Sequence, residues 1–300
     1  ERRFPEDWHA GRTKAEMIQA RGLSKRFGAL EAVGGIDLDV REGEIFGLIG
    51  PDGAGKTTLI RILTSLMRPD AGTATVAGCD VVRDYRRLRS LFGYMPGRFS
   101  LYQDHSIEEN IAFFASVFGA DLGRAYERIR DIYVQIEPFK TRRAGQLSGG
   151  MKQKLALCCA LIHEPALLFL DEPTTGVDAV SRREFWDMLS RFKARGLTIL
   201  VSTPYMDEAS RCDRIAFIKG GKILLTDAPG DMARHFPHDL WSVEPPDRNR
   251  YLDDIMGMDG VHSAWSFGQS VHVATHQGVN IPDAVPITPG IEDVFMELSR

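Results

Sequence analysis

A glycine-rich segment of eight residues constrains this chain more than any other part of its sequence. Its residues are Gly50-Pro51-Asp52-Gly53-Ala54-Gly55-Lys56-Thr57, and they match the pattern G-x-x-x-x-G-K-S/T. The apolar stretch 44–49 before it is typical of a buried strand, and a helix with one apolar stripe is predicted from Lys56 onward. The order of strand, loop and helix favours an α/β fold with the loop at a strand end.

The chemistry of this loop points to phosphate. Its glycines let the backbone curl so that consecutive N–H groups face phosphate oxygens, and the helix N-terminus adds positive potential. We expect Lys56 to reach the β and γ phosphates of ATP and Thr57 to offer its hydroxyl to Mg²⁺. The residues predicted to contact the nucleotide are Gly50, Pro51, Asp52, Gly53, Ala54, Gly55, Lys56, Thr57 and Thr58.

Two acids follow a second apolar strand pattern, at residues 167–170. They are Asp171 and Glu172, and the carboxyl end of a strand is where open α/β sheets bind ligands. Asp171 suits the role of a Mg²⁺ ligand together with Thr57, and Glu172 suits that of the residue that orients or deprotonates the attacking water. Such a pair also occurs at strand ends without a function, so its interpretation depends on the glycine-rich loop.

The rest of the chain fits the same fold class. Alternating strand patterns occupy 17–23 and 36–40, a helical pattern fills about 97–165, and Ser106 with Glu109 forms a capping box there. Further strands are predicted at 166–170, 198–202, 214–218 and 222–224, with a helix at 182–194. We therefore predict a P-loop NTPase fold, with a mostly parallel sheet, an N-terminal antiparallel β part and a helical insertion subdomain.

The domain organisation follows from these patterns. Residues 1–15 form a polar tail, 16–235 one nucleotide-binding domain that contains the helical subdomain, and 236–300 a C-terminal extension rich in Pro, Asp and His. The four cysteines show neither zinc-ligand nor disulfide spacing and are expected to be buried thiols: Cys79, Cys158, Cys159 and Cys212.

Composition excludes several classes of function. The 300 residues carry a formal charge of -4, which argues against nucleic acid as a partner. The longest apolar run, 155–162, is far shorter than the roughly 18 residues of a membrane-spanning helix. No secretion signal is visible at the start, so a cytoplasmic location is expected, and the absent initiator Met suggests trimming or excision from a longer chain.

A further motif goes beyond the phosphate site. Leu147-Ser148-Gly149-Gly150-Met151-Lys152-Gln153 resembles the signature sequence of ATP-binding cassette proteins. The resemblance implies that Leu147, Ser148, Gly149 and Gly150 face the γ-phosphate held by a second cassette, in a head-to-tail dimer around two nucleotides. A helix N-terminus suits that role physically.

Other segments occur in the order of that family, over about residues 17–230. Phe27 resembles the aromatic that stacks on adenine, although a lone Phe is more often a core residue. Residues 174–178, ending in Asp178, resemble the loop that crosses the dimer, and segments 93–96, 106–110 and 290–295 are similar to drug-export cassettes. The implied protein is an ATPase subunit of an exporter, peripheral on the cytoplasmic side and partnered by transmembrane subunits.

Two positions depart from the family pattern. Gly97 stands where the family usually has Gln, and Pro204 where it usually has His. Neither residue offers the side-chain donor that the family uses near Mg²⁺, water and the γ-phosphate. One hypothesis is a chain that binds ATP but hydrolyses it slowly and completes a competent site on a partner. The alternatives are that both changes are tolerated, or that the chain is one half of a two-cassette polypeptide.

The resemblance also implies a docking segment for the transmembrane partner, at residues 98–102. For Phe99, Leu101 and Tyr102 within it, plain core packing is the alternative. Two rivals to a transport role remain open at this point. A non-transport cassette acting on ribosomes or DNA is disfavoured by composition, and a regulatory ATP-binding subunit with little turnover is favoured by Gly97 and Pro204.

Overall fold

The computed structural model of the chain describes residues 16–300, so the predicted tail 1–15 lies outside the described part. The chain divides after Asp227 into two compact units, and the smaller one spans Ala228–Arg300. This division falls ahead of the predicted boundary at residue 235. Within the described part, no helix combines the length and the apolar character that a membrane span requires.

Within residues 16–227, ten strands build two sheets. They are β1 (Glu16–Phe27), β2 (Leu30–Arg41), β3 (Ile45–Ile49), β4 (Ala71–Val76), β5 (Cys79–Asp80), β6 (Phe92–Met95), β7 (Leu167–Asp171), β8 (Thr198–Thr203), β9 (Arg214–Lys219) and β10 (Lys222–Asp227). The first sheet has the order β2-β1-β4-β5 and is antiparallel. The second has the order β10-β9-β3-β8-β7-β6 and is parallel except for its edge strand β10.

Burial explains which sequences form which strands. All residues of β3, β7 and β8 are buried, as expected for parallel strands covered on both faces. In β1 and β2 buried and exposed residues alternate over much of each strand, which is the pattern of a sheet with one covered face. The architecture confirms the predicted α/β fold with its antiparallel N-terminal part.

Six α-helices lie in the described part of the larger unit. They are α1 (Lys56–Leu63), α2 (Tyr85–Leu88), α3 (Ile107–Phe118), α4 (Leu122–Tyr133), α5 (Gly149–Leu161) and α6 (Ala179–Ala194). Helix α1 buries Leu59, Ile60, Ile62 and Leu63 in a core shared with both sheets. Helices α3, α4 and α5 pack on one another between β6 and β7 in the sequence, where a helical insertion is predicted.

The predicted capping box is present at the start of α3. The Ser106 hydroxyl accepts from the Glu109 N–H at 3.1 Å, and the Glu109 carboxylate accepts from the Ser106 N–H at 2.7 Å. The four cysteines are buried free thiols, as predicted. Burial raises the pKa of Cys159 and of Cys212, which keeps both thiols protonated and unreactive.

The smaller unit has its own sheet and core. Its elements are β11 (Asp239–Val243), α7 (Arg248–Ile255), β12 (Val261–Phe267), β13 (Ser270–Thr275), β14 (Val285–Pro286) and α8 (Ile291–Leu298). The antiparallel sheet has the order β12-β13-β11-β14. A cluster of apolar side chains fills its core: Val243, Ile255, Val271, Val273 and Ile281. The buried pair His272 and Asp293, 2.7 Å apart, links β13 to α8.

Candidate functional site

The glycine-rich loop lies between the end of β3 and the start of α1, and packing explains why glycine is needed there. A Cβ on Gly50 would lie 2.1 Å from the backbone oxygen of Ile218, and one on Gly55 would lie 2.3 Å from that of Ala32. Gly53 and Gly55 also have φ angles of 76° and 107°, in the region that favours glycine. The loop can curl as it does only with glycine at these positions.

Lys56 is the first residue of α1, and its side chain turns back into the loop. It is only 3% exposed, and its Nζ donates to the backbone oxygens of Gly50 at 2.7 Å and Pro51 at 3.0 Å. The same Nζ lies 3.1 Å from Oε1 of Glu172. The ammonium is therefore held at the centre of the curled loop, where a bound phosphate would meet it.

The predicted magnesium ligands lie next to each other. Asp171 is the last residue of β7 and is 3% exposed, and its Oδ1 accepts from the Thr57 hydroxyl at 3.1 Å. Oδ1 also accepts from the Ser202 hydroxyl at 2.8 Å. A carboxylate and a hydroxyl are hard oxygen ligands of the kind that Mg²⁺ prefers, so these residues fit the metal.

Ser202 is a site residue that the sequence patterns do not predict, since they place it only within a strand. It pairs with Asp171 in the register of β7 and β8, and its hydroxyl and backbone oxygen both accept from the N–H of Glu172, at 3.0 and 3.1 Å. One buried side chain thus orients both candidate acids. The signal available in the sequence was its place at the carboxyl end of a buried strand.

The other residues that are predicted to contact the nucleotide differ in their exposure to solvent. Pro51, Asp52 and Gly53 are exposed, Ala54 is buried, and Thr58 is half-buried in the first turn of α1. Phe27 ends β1 and is 46% exposed, so it is not a core residue. Its ring centroid lies 6.0 Å from the Lys25 ammonium, and its stacking on adenine stays a prediction.

The signature segment forms the start of α5. Leu147 is buried, whereas Ser148 is exposed and caps the helix by accepting from the Met151 N–H at 3.4 Å. A Cβ on Gly150 would lie 2.7 Å from the hydroxyl of Ser181 in α6, so this glycine permits close packing of the two helix starts. The segment therefore presents Ser148 and Gly149 on the surface.

Asp178 caps the start of α6. Its carboxylate accepts from the N–H groups of Val180 at 3.1 Å and Ser181 at 3.0 Å. These hydrogen bonds, led by the one from Ser181, lower the pKa of Asp178. Asp178 thus has a clear role within the chain, and its predicted role in a dimer stays a prediction.

The two departures from the family pattern both lie close to the acids. A Cβ on Gly97 would lie 3.0 Å from the backbone oxygen of Asp171, which places Gly97 against the end of β7. Pro204 follows β8 directly and is half-buried. Burial, followed by the charge of Asp171, raises the pKa of Tyr94 in the neighbouring strand β6.

Glu208 is a second residue near the site that the sequence patterns do not predict. It is 4% exposed and accepts from the hydroxyls of Thr174 and Thr203, each at 2.7 Å. The carboxylate therefore joins the loop after β7 to the end of β8, beside Pro204. No motif marked it, because its two partners are separated from it by 34 and 5 residues.

The fold and the site together define a P-loop nucleotide-binding protein. The family model for "ABC transporter" matches residues 33–175. The chain is 34% identical over 305 residues to a daunorubicin resistance ATP-binding protein, DrrA2, of Streptomyces coeruleorubidus, covering 94% of both. It is also 40% identical over 215 residues to a Nod factor export ATP-binding protein I of Burkholderia lata, covering 71% of each. The chain belongs to the ATP-binding proteins of ABC transporters.

Longer relatives and solved structures agree with this family. The chain is 38% identical over 300 residues to the probable multidrug ABC transporter ATP-binding protein YbhF of Escherichia coli K12, but spans only 52% of its length. Among solved structures, an ATP-binding subunit of an ABC transporter has a TM-score of 0.67 at 28% identity, with 73% of this chain and 93% of that chain covered. These matches confirm the predicted cassette family and its resemblance to export cassettes.

Proposed function

We propose that this chain is the ATP-binding motor subunit of an exporter-type ABC transporter. It couples binding and hydrolysis of ATP to the movement of transmembrane subunits, at the cytoplasmic side of the membrane. The observation that carries this proposal is the convergence of Lys56, Thr57, Asp171 and Glu172 within hydrogen-bond distances at one sheet edge. The names of the export relatives support the direction of transport.

Each residue at the sheet edge has a role in this proposal. The loop N–H groups and Lys56 would hold the phosphates, and Thr57 and Asp171 would hold Mg²⁺, which would supply positive charge next to the phosphates. The negatively charged phosphate oxygens would attract the Lys56 ammonium and compete for it with the Glu172 carboxylate, which lies 3.1 Å from it in this structure. The carboxylate of Glu172 then becomes available to accept a proton from the attacking water.

A second cassette completes the site in this proposal. Ser148 and Gly149 are exposed at the start of α5, where N–H groups and the helix dipole favour a γ-phosphate from outside the chain. Asp178 lies in the loop that would cross the dimer. The partner is a second copy of this chain, a different cassette or a second half of a longer chain.

The docking segment 98–102 is only partly available to a membrane partner. Leu101 is buried and belongs to the core, whereas Tyr102 is 49% exposed. Phe99 is half-buried, and the Lys152 ammonium lies 5.6 Å from the centroid of its ring. Tyr102 also packs edge-on against the exposed Phe113 of α3, at 4.8 Å between centroids. We therefore assign docking to the aromatic surface of Phe99, Tyr102 and Phe113.

A second candidate function is regulatory ATP binding with little turnover, and Gly97 and Pro204 favour it. Neither supplies a side-chain donor near the acids. Restoring Gln at position 97 has a steric cost, because its Cβ would lie 3.0 Å from the Asp171 oxygen. Pro204→His lacks that contact and is therefore the cleaner restoration.

ATP turnover by the purified chain tests both functions. We expect Mg²⁺-dependent nucleotide binding in the parent, Glu172→Gln and Pro204→His, since the loop and Asp171 are intact in all three. A motor subunit that hydrolyses by itself loses turnover in Glu172→Gln, by roughly 100-fold or more. A parent with negligible turnover that Pro204→His increases would instead favour the weakened, regulatory chain. Absence of nucleotide binding in the parent would contradict both.

A further inference from the structure

Two histidines and one glutamate cluster in the smaller unit. His238 immediately precedes β11, His262 lies in β12, and Glu297 lies in the last turn of α8. Oε1 of Glu297 is 3.1 Å from Nε2 of His262 and 3.5 Å from Nε2 of His238. One ligand atom from each residue lies within 4.8 Å of the other two, and all three side chains are half-buried.

These distances suit a four-coordinate zinc ion. With Zn–N bonds of about 2.0–2.1 Å and Zn–O bonds of about 2.0–2.2 Å, neighbouring ligand atoms of a tetrahedron lie about 3.4 Å apart. The two measured N–O separations bracket that value. The ring of His276 lies 6.0 Å, centroid to centroid, from those of both other histidines. With three protein ligands, the fourth position of the ion is left for water, as in open zinc sites.

The state of the donor groups also favours a metal. Oε2 of Glu297 is buried and has no hydrogen-bond partner among the described residues, with Nε of Arg300 at 4.0 Å. The oxygen that faces both imidazoles is Oε1, so a zinc ion held there would neutralise a largely buried carboxylate whose second oxygen has no hydrogen-bond donor among the described residues.

We propose that His238, His262 and Glu297 form a binding site for Zn²⁺. Two imidazole nitrogens and one carboxylate oxygen are a donor set that zinc readily accepts. The three residues come from different elements of one sheet-and-helix unit, so the ion fixes the last turn of α8 to the start of β11 and to β12. Zinc therefore stabilises the C-terminal helix of the smaller unit.

Calorimetric titration of the full, untagged chain with ZnCl₂ tests this site. The protein is first treated with a chelator, and Mg²⁺ is kept in excess to suppress zinc at the nucleotide site. We expect one zinc ion per chain, with affinity reduced roughly tenfold or more in Glu297→Gln and in His262→Gln. His235→Gln, an exposed histidine of the same unit, is the matched control and should bind like the parent.

Two further readouts separate ligation from a merely structural role. Co²⁺ in place of zinc should give the intense visible absorption of a four-coordinate site in the parent, and Glu297→Gln should lose it. Zinc should slow hydrogen exchange in residues 291–298 of the parent and not of the variant.

Circular dichroism checks that each variant is folded, and His262→Gln provides the comparison if Glu297→Gln does not fold. Equal zinc binding by parent, Glu297→Gln and His262→Gln, or none by the parent, would overturn the proposal.

Discussion

Glu172 has a backbone conformation that is unusual for a residue with a side chain. Its φ angle is 51°, in the left-handed region, which costs a non-glycine residue roughly 1–3 kcal/mol. Two hydrogen bonds from its N–H to Ser202 hold it there. The direction of the Glu172 carboxylate is thus fixed by the neighbouring strand, and it meets Lys56 and the loop as a consequence.

His163 gives a pH-dependent prediction at the residue scale. Its ring stacks on Phe118 at 3.9 Å and its Nε2 faces the Phe92 carbonyl at 3.0 Å. Burial, with a smaller effect from the charge of Arg128, lowers the pKa of His163 below 6.5, and the bond to Phe92 only partly opposes this. The unfolded chain therefore takes up a proton that the folded chain resists, and stability should fall as pH drops below 6.5.

Replacing His163 by Gln should remove this contribution to the pH dependence. The free energy of unfolding of the parent should lose at most about 1.4 kcal/mol per pH unit to this one group, from 6.5 down to its lowered folded pKa. Urea denaturation of parent and His163→Gln across that window measures the difference between their slopes. Identical slopes would show that His163 titrates alike in the folded and unfolded chains.

At the scale of single elements, the start of α3 is fixed by a local device. The reciprocal hydrogen bonds between Ser106 and Glu109 satisfy two backbone N–H groups that the helix itself leaves without partners. Ser106→Ala should lower the free energy of unfolding by about 1 kcal/mol, the usual effect of removing such a cap. Denaturant unfolding beside Ser116→Ala, an exposed serine near the end of the same helix, measures it. An equal effect of both changes would contradict a capping role.

At the scale of the whole molecule, the proposed dimer predicts an association that depends on ATP. Glu172→Gln should bind ATP without cleaving it and should accumulate as a dimer, measured by size-exclusion chromatography with light scattering. Adding Ser148→Arg should abolish the dimer and preserve ATP binding, because the bulky charge lies at the exposed start of α5. Ser190→Arg, on the exposed face of α6, is the control. A chain that stays monomeric with ATP would contradict homodimerisation.

The docking surface gives the second prediction at this scale. Replacing Phe99 and Tyr102 together by Ala should abolish co-purification with the transmembrane subunits while ATP binding is kept, since the exposed aromatic area is lost. Val180→Ala, which shortens an exposed apolar side chain on α6, is the control. Association that survives the double change would place docking elsewhere on the chain.

The sequence by itself determined the features that depend on neighbouring residues. The strand, loop and helix around Lys56, the capping box of α3 and the fully buried strand before Asp171 all follow from local patterns of apolar residues, glycine and hydroxyl groups. The signature segment also identified the family. These patterns were enough for the fold class, and the roles of the phosphate and magnesium residues stay predictions.

Only the tertiary structure decided which distant side chains meet. Ser202 reaches Asp171 across 31 residues, Glu208 reaches Thr174 across 34, and His262 reaches Glu297 across 35. Strand order and register set these contacts, and local periodicity specifies which face a side chain takes but not which strand lies beside it. The steric contact at Gly97 likewise depends on how the ends of β6 and β7 pack, and the left-handed φ of Glu172 on how the ends of β7 and β8 pack.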